Sequence, residues 1–241
     1  MNKFKGLGVA MVTPFNADGS IDYLGLEKLT NHLITGGVHY LVVMGTTGEN
    51  PTIRNEEQQQ VLQKVKEVNA GRLPIVFGIG GNSTAAVVDR LKSENLAGVD
   101  GILSVSPYYN KPSQEGIYQH YKAVSDATPL PVIMYNVPGR TGSLVSADTT
   151  LRIAALPNIV CTKEASGSLD VCMDVITGAP EGFGVISGDD NYTLPYIAAG
   201  MQGVISVIGN AYPKEFSQMV NYALEGDFLN AKKIHYKLLP M

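Results

Sequence analysis

Tryptophan is absent from this sequence and cysteine occurs only twice, at Cys161 and Cys172. Two thiols build no disulfide framework and are too few for a cysteine-built zinc site. Histidine is sparse as well. His32, His39, His120 and His235 are scattered, with no His-x-His and no i,i+4 pair, so metal ligation and a histidine-based triad both lack support. Lys and Arg total 18 against 22 Asp and Glu, a net charge of −4, and no basic block stands out. That balance argues against a nucleic-acid or anionic-membrane surface. No apolar run approaches the roughly 18 residues of a bilayer span, and the first residues, Met1-Asn2-Lys3-Phe4-Lys5-Gly6, lack the apolar stretch of a signal peptide. The expected compartment is the reducing cytoplasm.

What is present is an apolar, glycine-rich chain of 241 residues, 44% hydrophobic, with 26 glycines, enough for one large α/β domain. Short Val- and Ile-rich runs at 8–13, 40–44, 75–79, 101–105, 132–135, 159–162, 184–187 and 203–208 read as strands. They mostly lack charge, as parallel strands covered on both faces do. Amphipathic stretches at 23–35, 56–69, 84–97, 114–127, 147–156, 169–177, 192–199 and 214–224 alternate with them. Asn55 with Gln58 suggests a capping box, Ser113 and Ser146 read as N-caps, and Gly36, Gly37, Gly71 and Gly98 fall where helices should stop. Eight strand–helix units predict a (β/α)8 barrel over residues 1–225. A dinucleotide fold is disfavoured because the first strand–helix turn reads Thr13-Pro14-Phe15-Asn16-Ala17-Asp18, with no Gly-x-Gly-x-x-Gly. Residues 226–241 read as the start of a C-terminal helical segment that is cut short.

A barrel carries its chemistry on the loops that follow its strands. After the second strand, Gly45-Thr46-Thr47-Gly48-Glu49 offers backbone N–H groups and two hydroxyls suited to a carboxylate. An ordinary turn is the alternative, and Glu49 reads as a loop brace. Lys163 alone among thirteen lysines closes an apolar strand. A partly desolvated amine there is nucleophilic and suits Schiff-base chemistry; a snorkelling lysine, or one paired with Glu164, is the alternative. Tyr135 ends the fifth strand, where its phenol can move protons, and Arg140 follows in a Pro/Gly-stiffened loop, where it can grip a carboxylate. A core aromatic and a surface ion-pair residue are the competing readings. Tyr108 and Tyr109 sit in a Pro-bounded loop of interface-like character. The glycine-rich 78–82 segment lacks the Lys-Ser/Thr of a phosphate loop. Asp189 and Asp190 read as caps for the next helix rather than as a metal site.

In this order and on these strands, Thr13-Pro14-Phe15, the 45–49 loop, Pro107-Tyr108-Tyr109-Asn110, Tyr135-Asn136-Val137-Pro138-Gly139-Arg140-Thr141-Gly142, Lys163-Glu164-Ala165-Ser166-Gly167 and Gly188-Asp189-Asp190 resemble the dihydrodipicolinate synthase branch of the pyruvate-dependent class I aldolase and lyase superfamily. The resemblance spans essentially the whole chain. It implies a carbon–oxygen/carbon–nitrogen lyase, needing no cofactor or metal, that condenses pyruvate with L-aspartate 4-semialdehyde in lysine and diaminopimelate biosynthesis. Lys163 would form the Schiff base, Tyr135 would shuttle protons, and Thr46 would link Tyr135 to Tyr109 reaching in from a neighbouring subunit. Thr47, with Ile205 and Gly188, would bind pyruvate, and Arg140 would hold the carboxylate of the semialdehyde. The implied assembly is a homotetramer, a dimer of dimers.

Two departures carry expectations. The family usually continues further into a C-terminal helical region, so a shortened barrel flank and a less stable tetramer are expected. Asn82 and Tyr108 match the allosteric pocket of lysine-inhibited members, but Ala86 stands near the position of a Glu, and Asn55 and Gln58 near positions of His, so weak or absent lysine feedback is expected. The competing functions are another pyruvate Schiff-base aldolase, such as N-acetylneuraminate lyase or a 2-keto-3-deoxy sugar acid aldolase, and a non-catalytic barrel that binds a partner.

Overall fold

Eight parallel strands close on themselves in chain order: β1 (Gly6–Ala10), β2 (Tyr40–Val43), β3 (Ile75–Gly78), β4 (Gly101–Val105), β5 (Val132–Asn136), β6 (Ile159–Glu164), β7 (Gly184–Ser187) and β8 (Gly203–Ser206), with β8 pairing back onto β1. The computed structural model describes residues 3–241. Around the strands run α1 (Tyr23–Thr35), α2 (Asn55–Asn69), α3 (Thr84–Ser93), α4 (Gln114–Ala127), α5 (Pro138–Thr141), α6 (Ala147–Ala154), α7 (Leu169–Gly178), α8 (Thr193–Ala198), α9 (Pro213–Leu224) and α10 (Phe228–Leu238). This is the (β/α)8 barrel that the alternation predicts. No helix among the described residues is long and apolar enough to cross a membrane.

Alternation along each strand separates two cores. Tyr40, Val42, Val76, Leu103, Ile133, Tyr135, Cys161, Ile186 and Ile205 fill the barrel interior with Phe4 plugging one end. Leu41, Val43, Phe77, Ile102, Met134, Val185 and Val204 face outward onto the helix layer. One irregularity matters for function. β5 pairs with β6 at Val132–Ile159 and then at Ile133–Cys161, so Val160 is an extra residue, a bulge. The shift aligns Tyr135 with Lys163; an unbroken register would place Thr162 there.

Helix starts follow side-chain chemistry. Asp22, Ser83, Ser113, Ser146, Ser168 and Asp227 each accept backbone N–H groups at a helix N-terminus. The expected capping box at Asn55 does not form. Asn55 lies inside α2, whose N-cap is Arg54 without a side-chain cap, and Gln58 turns inward to donate to the carbonyls of Asn50 and Ile53. α3 stops at Ser93 rather than at 97, because Asn95 Oδ1 accepts the N–H of Ala97 in a local turn that competes with helix. β1 leaves the sheet after Ala10, where Asn210 Oδ1 takes the N–H of Val12. β8 ends at Ser206, where Asp190 takes the next two N–H groups. α10 packs along α9 and touches α8.

Candidate active site

Lys163 and Tyr135 occupy paired positions on β6 and β5, and both point into the barrel. Lys163 is 5% exposed, and its Nζ lies 4.2 Å from the centroid of the Tyr135 ring. Among the described residues it makes no salt bridge. Burial pulls its pKa down to about 8, against the opposing pull of Asp190 and Asp189, while the Arg140 charge lowers it further. The snorkelling alternative fails because the amine is enclosed. Pairing with Glu164 fails because successive strand residues face opposite ways: Glu164 points outward, where Asn136 Nδ2 donates to both its oxygens. Tyr135 is likewise buried, and that burial pushes its phenol up to about 12. Gly188 is required by space. A Cβ there would sit 2.7 Å from Ala165 Cβ and 3.1 Å from Lys163 Cε.

Beside Tyr135 opens a cavity of about 250 Å³ lined by Thr46, Asn50, Leu103, Tyr108, Tyr135, Arg140 and Thr141 among others. Lys163 is not among its lining residues and reaches it only through the Tyr135 ring. Tyr135, Thr46, Tyr108 and Arg140 are therefore brought to one mouth. Arg140 stands on α5, a single helical turn set by Pro138 at its first position. Thr47 and Asn82 are half-buried outside the lining, and Ile205 lies fully buried in the barrel opposite Gly8. Gly188 lines a separate cavity with Asp189 and Asp190. Tyr109 projects outward, 87% exposed with φ 73°. Among the described residues no hydrogen bond joins Thr46 to Tyr135, and none joins either to Tyr109.

Two local expectations are corrected. Among the described residues Glu49 braces nothing with its side chain: it is exposed, makes no side-chain hydrogen bond to any of them, and serves as a left-handed backbone turn at φ 58°. Asp189 and Asp190 do not cap α8, whose N-cap is Tyr192 without a side-chain bond. Asp190 Oδ2 instead accepts the N–H groups of Val207 and Ile208, tying the β7 and β8 loops together.

The loop brace is Asn50, which the sequence reading missed. Its Nδ2 donates to the carbonyls of Met44 and Gly78, at 2.9 and 3.2 Å. Met44 is buried with φ 57°, a strained value for a side-chain-bearing residue. It turns the chain from β2 into the Thr46 loop, and its carbonyl would lie 1.9 Å from a Cβ at Gly78. The Asn50-Pro51 pair was the available signal, since such dipeptides initiate turns. Behind it Gln58, which is buried, and Arg90, Glu94 and Gln59, which are half-buried, form one polar chain.

Comparison with known proteins settles the family. The sequence profile of the dihydrodipicolinate synthetase family matches residues 3–241. The chain belongs to this family. The 4-hydroxy-tetrahydrodipicolinate synthase of Parabacteroides distasonis is 54% identical over 233 residues, covering 96% of this chain and 78% of that relative. The crystal structure of the Thermotoga maritima dihydrodipicolinate synthase superposes with a TM-score of 0.96 at 40% identity, over 99% of this chain and 82% of that one. A chloride-inhibited family member from Acinetobacter baumannii, crystallised as a complex with pyruvate, superposes with a TM-score of 0.93 at 42% identity, over 97% and 80% of the two chains.

Proposed function

We infer that this protein carries out the 4-hydroxy-tetrahydrodipicolinate synthase reaction, condensing pyruvate with L-aspartate 4-semialdehyde through a Schiff base on Lys163. The observation that carries the reading is an enclosed amine, its pKa drawn down to about 8, set 4.2 Å from the centroid of the Tyr135 ring, which itself lines the open mouth. Free amine is the nucleophile. At pH 7 roughly one lysine in ten carries no proton at such a pKa, against about one in three thousand for an ordinary lysine.

The amine attacks the keto carbon of pyruvate. The resulting carbinolamine loses its hydroxyl as water, and Tyr135, a phenol that stays protonated through the neutral range, supplies and recovers the proton. Loss of a methyl proton gives the enamine, whose carbon attacks the aldehyde of the second substrate. That substrate's own amine then displaces Lys163 and closes the ring. Thr46 borders the same mouth and serves the proton relay, Thr47 and the backbone of the 45–48 turn bind the pyruvate carboxylate, and Arg140 grips the carboxylate of the semialdehyde. Tyr109, exposed on its loop, completes the relay of a neighbouring subunit in a cytoplasmic homotetramer.

Borohydride reduction in the presence of pyruvate tests this. Peptide mapping is expected to find the reduced adduct on Lys163 alone, and its absence from wild type, or its persistence in Lys163→Ala, overturns the assignment.

A further inference from the structure

Behind the catalytic face, in the layer between strands and helices, lies a cluster that the reaction as written does not use. Glu164 is 1% exposed and Asn136 is 0% exposed. Each follows a catalytic residue in the chain and, by strand alternation, faces the opposite way from it. Asn136 Nδ2 donates to Glu164 Oε2 at 2.9 Å and Oε1 at 3.2 Å. The same amide makes a two-point contact with Val145, donating to its carbonyl and accepting its N–H, both at 3.1 Å. Glu164 Oε1 also accepts the N–H of Ser166 at 2.8 Å.

The connectivity gives this cluster its meaning. Val145 closes the excursion that begins at Val137 and carries Arg140; Ser166 begins the loop after Lys163. One amide and one carboxyl thus tie together the ends of β5 and β6 and the far end of the Arg140 excursion. Backbone pairing already aligns Tyr135 with Lys163, but no ladder reaches the Arg140 excursion. Its internal ties are the helical turn of α5 and the bonds of Thr141 Oγ1 to the carbonyls of Val137 and Ser143, which fix the excursion's shape. From outside, Gln114 on α4 donates to the Leu144 carbonyl and accepts the N–H of Ser146, which fastens the far end to the helix layer but not to the strands that bear Tyr135 and Lys163.

We propose that Asn136 and Glu164 are positioning residues that dock the Arg140 excursion onto the strands bearing Tyr135 and Lys163, and so set the grip on the carboxylate of the second substrate without touching it. The proposal rests on the reading of Arg140 given above. A buried carboxyl is costly unless its acceptors are met. Here the donors come from the segments that must be held together, so desolvation makes the clamp sensitive to the identity of both partners.

Glu164→Gln sets an NH2 against the Asn136 Nδ2 donor and leaves one oxygen to accept from both Ser166 and Asn136, which weakens the bridge. Asn136→Asp turns a carboxylate toward Glu164, which breaks it. The double variant Asn136→Asp/Glu164→Gln rebuilds it with donor and acceptor exchanged. It keeps acceptors for the N–H groups of Val145 and Ser166, leaving only the Val145 carbonyl without its donor. Steady-state kinetics should be normalised to the fraction of enzyme that borohydride traps with pyruvate, with Arg140→Ala run alongside. Each single variant is expected to raise KM for the semialdehyde about tenfold while moving KM for pyruvate less than threefold, and the double variant to return within about threefold of wild type. If Glu164→Gln does not fold, Glu164→Asp, which keeps the charge but falls short of Asn136, is expected to give the same split. A loss of trappable enzyme with both KM values unchanged, or a double variant no better than the worse single, overturns the clamp. An unchanged semialdehyde KM in Arg140→Ala condemns the Arg140 assignment instead; a raised one there with unchanged values in the clamp variants condemns the clamp alone.

Discussion

Lys163 faces Tyr135 across the β5–β6 seam because Val160 is one residue too many for an unbroken ladder. The bulge fixes which side chain of β6 turns inward at the mouth, and the amine rests 4.2 Å from the phenol ring. A single-residue slip in a strand moves every later side chain to the other face, so the Lys163–Tyr135 pair depends on this irregularity as much as on the identities of its members.

The first prediction concerns pH. Burial lowers Lys163 from the ordinary 10.5 to about 8, so the rate of pyruvate capture is expected to rise with pH, bend near 8 and stay level beyond it. Tyr135, raised to about 12, adds no falling limb in the working range. The linked stability has a definite sign. Between about 8 and 10.5 the unfolded chain holds a proton on this lysine that the folded chain has lost, so burial of the amine costs less stability as pH rises through that window. Asp190 is the larger of two carboxylates that oppose the shift. In Asp190→Asn the amide oxygen can still accept from Val207 and Ile208, and the bend is expected to move below 8. A bend that stays near 8 or moves upward contradicts this electrostatic account.

Much of this architecture is legible in the sequence. α1, α4, β4 and β7 begin and end where periodicity and caps place them, and Lys163 stands out because a cation rarely closes an apolar strand. The losses have physical causes. A bulge leaves no mark in a Val- and Ile-rich run, so the register that pairs Tyr135 with Lys163 was invisible. Gln58, three residues after Asn55, looks like a cap partner, but tertiary packing draws it inward to Asn50. Asn136 and Glu164 sit beside more reactive neighbours and reveal their bonding only once strand alternation turns them outward.

Arg140 gives the second prediction. Under the proposed function Arg140 grips the semialdehyde carboxylate, and its only link to the pyruvate adduct is the smallest of the charges acting on Lys163. Arg140→Ala is expected to raise KM for L-aspartate 4-semialdehyde at least tenfold, a loss of about 1.4 kcal/mol or more, and to leave borohydride trapping with pyruvate intact. Comparison with a sugar-derived acceptor separates this reading from a sugar-acid aldolase. Faster turnover of the sugar acceptor by wild type runs against it.

The third prediction is regulatory. Gln58 is 2% exposed and its amide is fully engaged, donating to the Asn50 and Ile53 carbonyls and accepting from Arg90. Ala86 is exposed and offers no carboxylate to an ammonium group. Although Tyr108 lines the mouth, a lysine molecule would find few polar partners on α2 and α3, because those groups already satisfy one another. Lysine at millimolar concentration is expected to leave the steady-state rate within a factor of two. Inhibition at micromolar lysine contradicts this.

The last prediction tests how the Thr46 loop is aimed. Met44 holds φ at 57° and its carbonyl passes so close to Gly78 that a Cβ there would lie 1.9 Å away. No rotation relieves that clash, since the obstacle is backbone, in the turn that directly follows the neighbouring strand β2. Gly78→Ala is therefore expected to cost about 2–4 kcal/mol of stability, in the upper range for overpacking, read as a lower denaturant midpoint with an unchanged slope. Asn50→Ala is expected to act more narrowly. It strips the amide donor from the Met44 and Gly78 carbonyls, at about 1–3 kcal/mol, and frees the turn that presents Thr46. Its turnover is expected to fall more than its trappable lysine fraction, because Lys163 stands on a different strand and keeps its enclosure. If turnover and trapping fall together in Asn50→Ala, the amide supports the barrel as a whole and does not specifically aim Thr46.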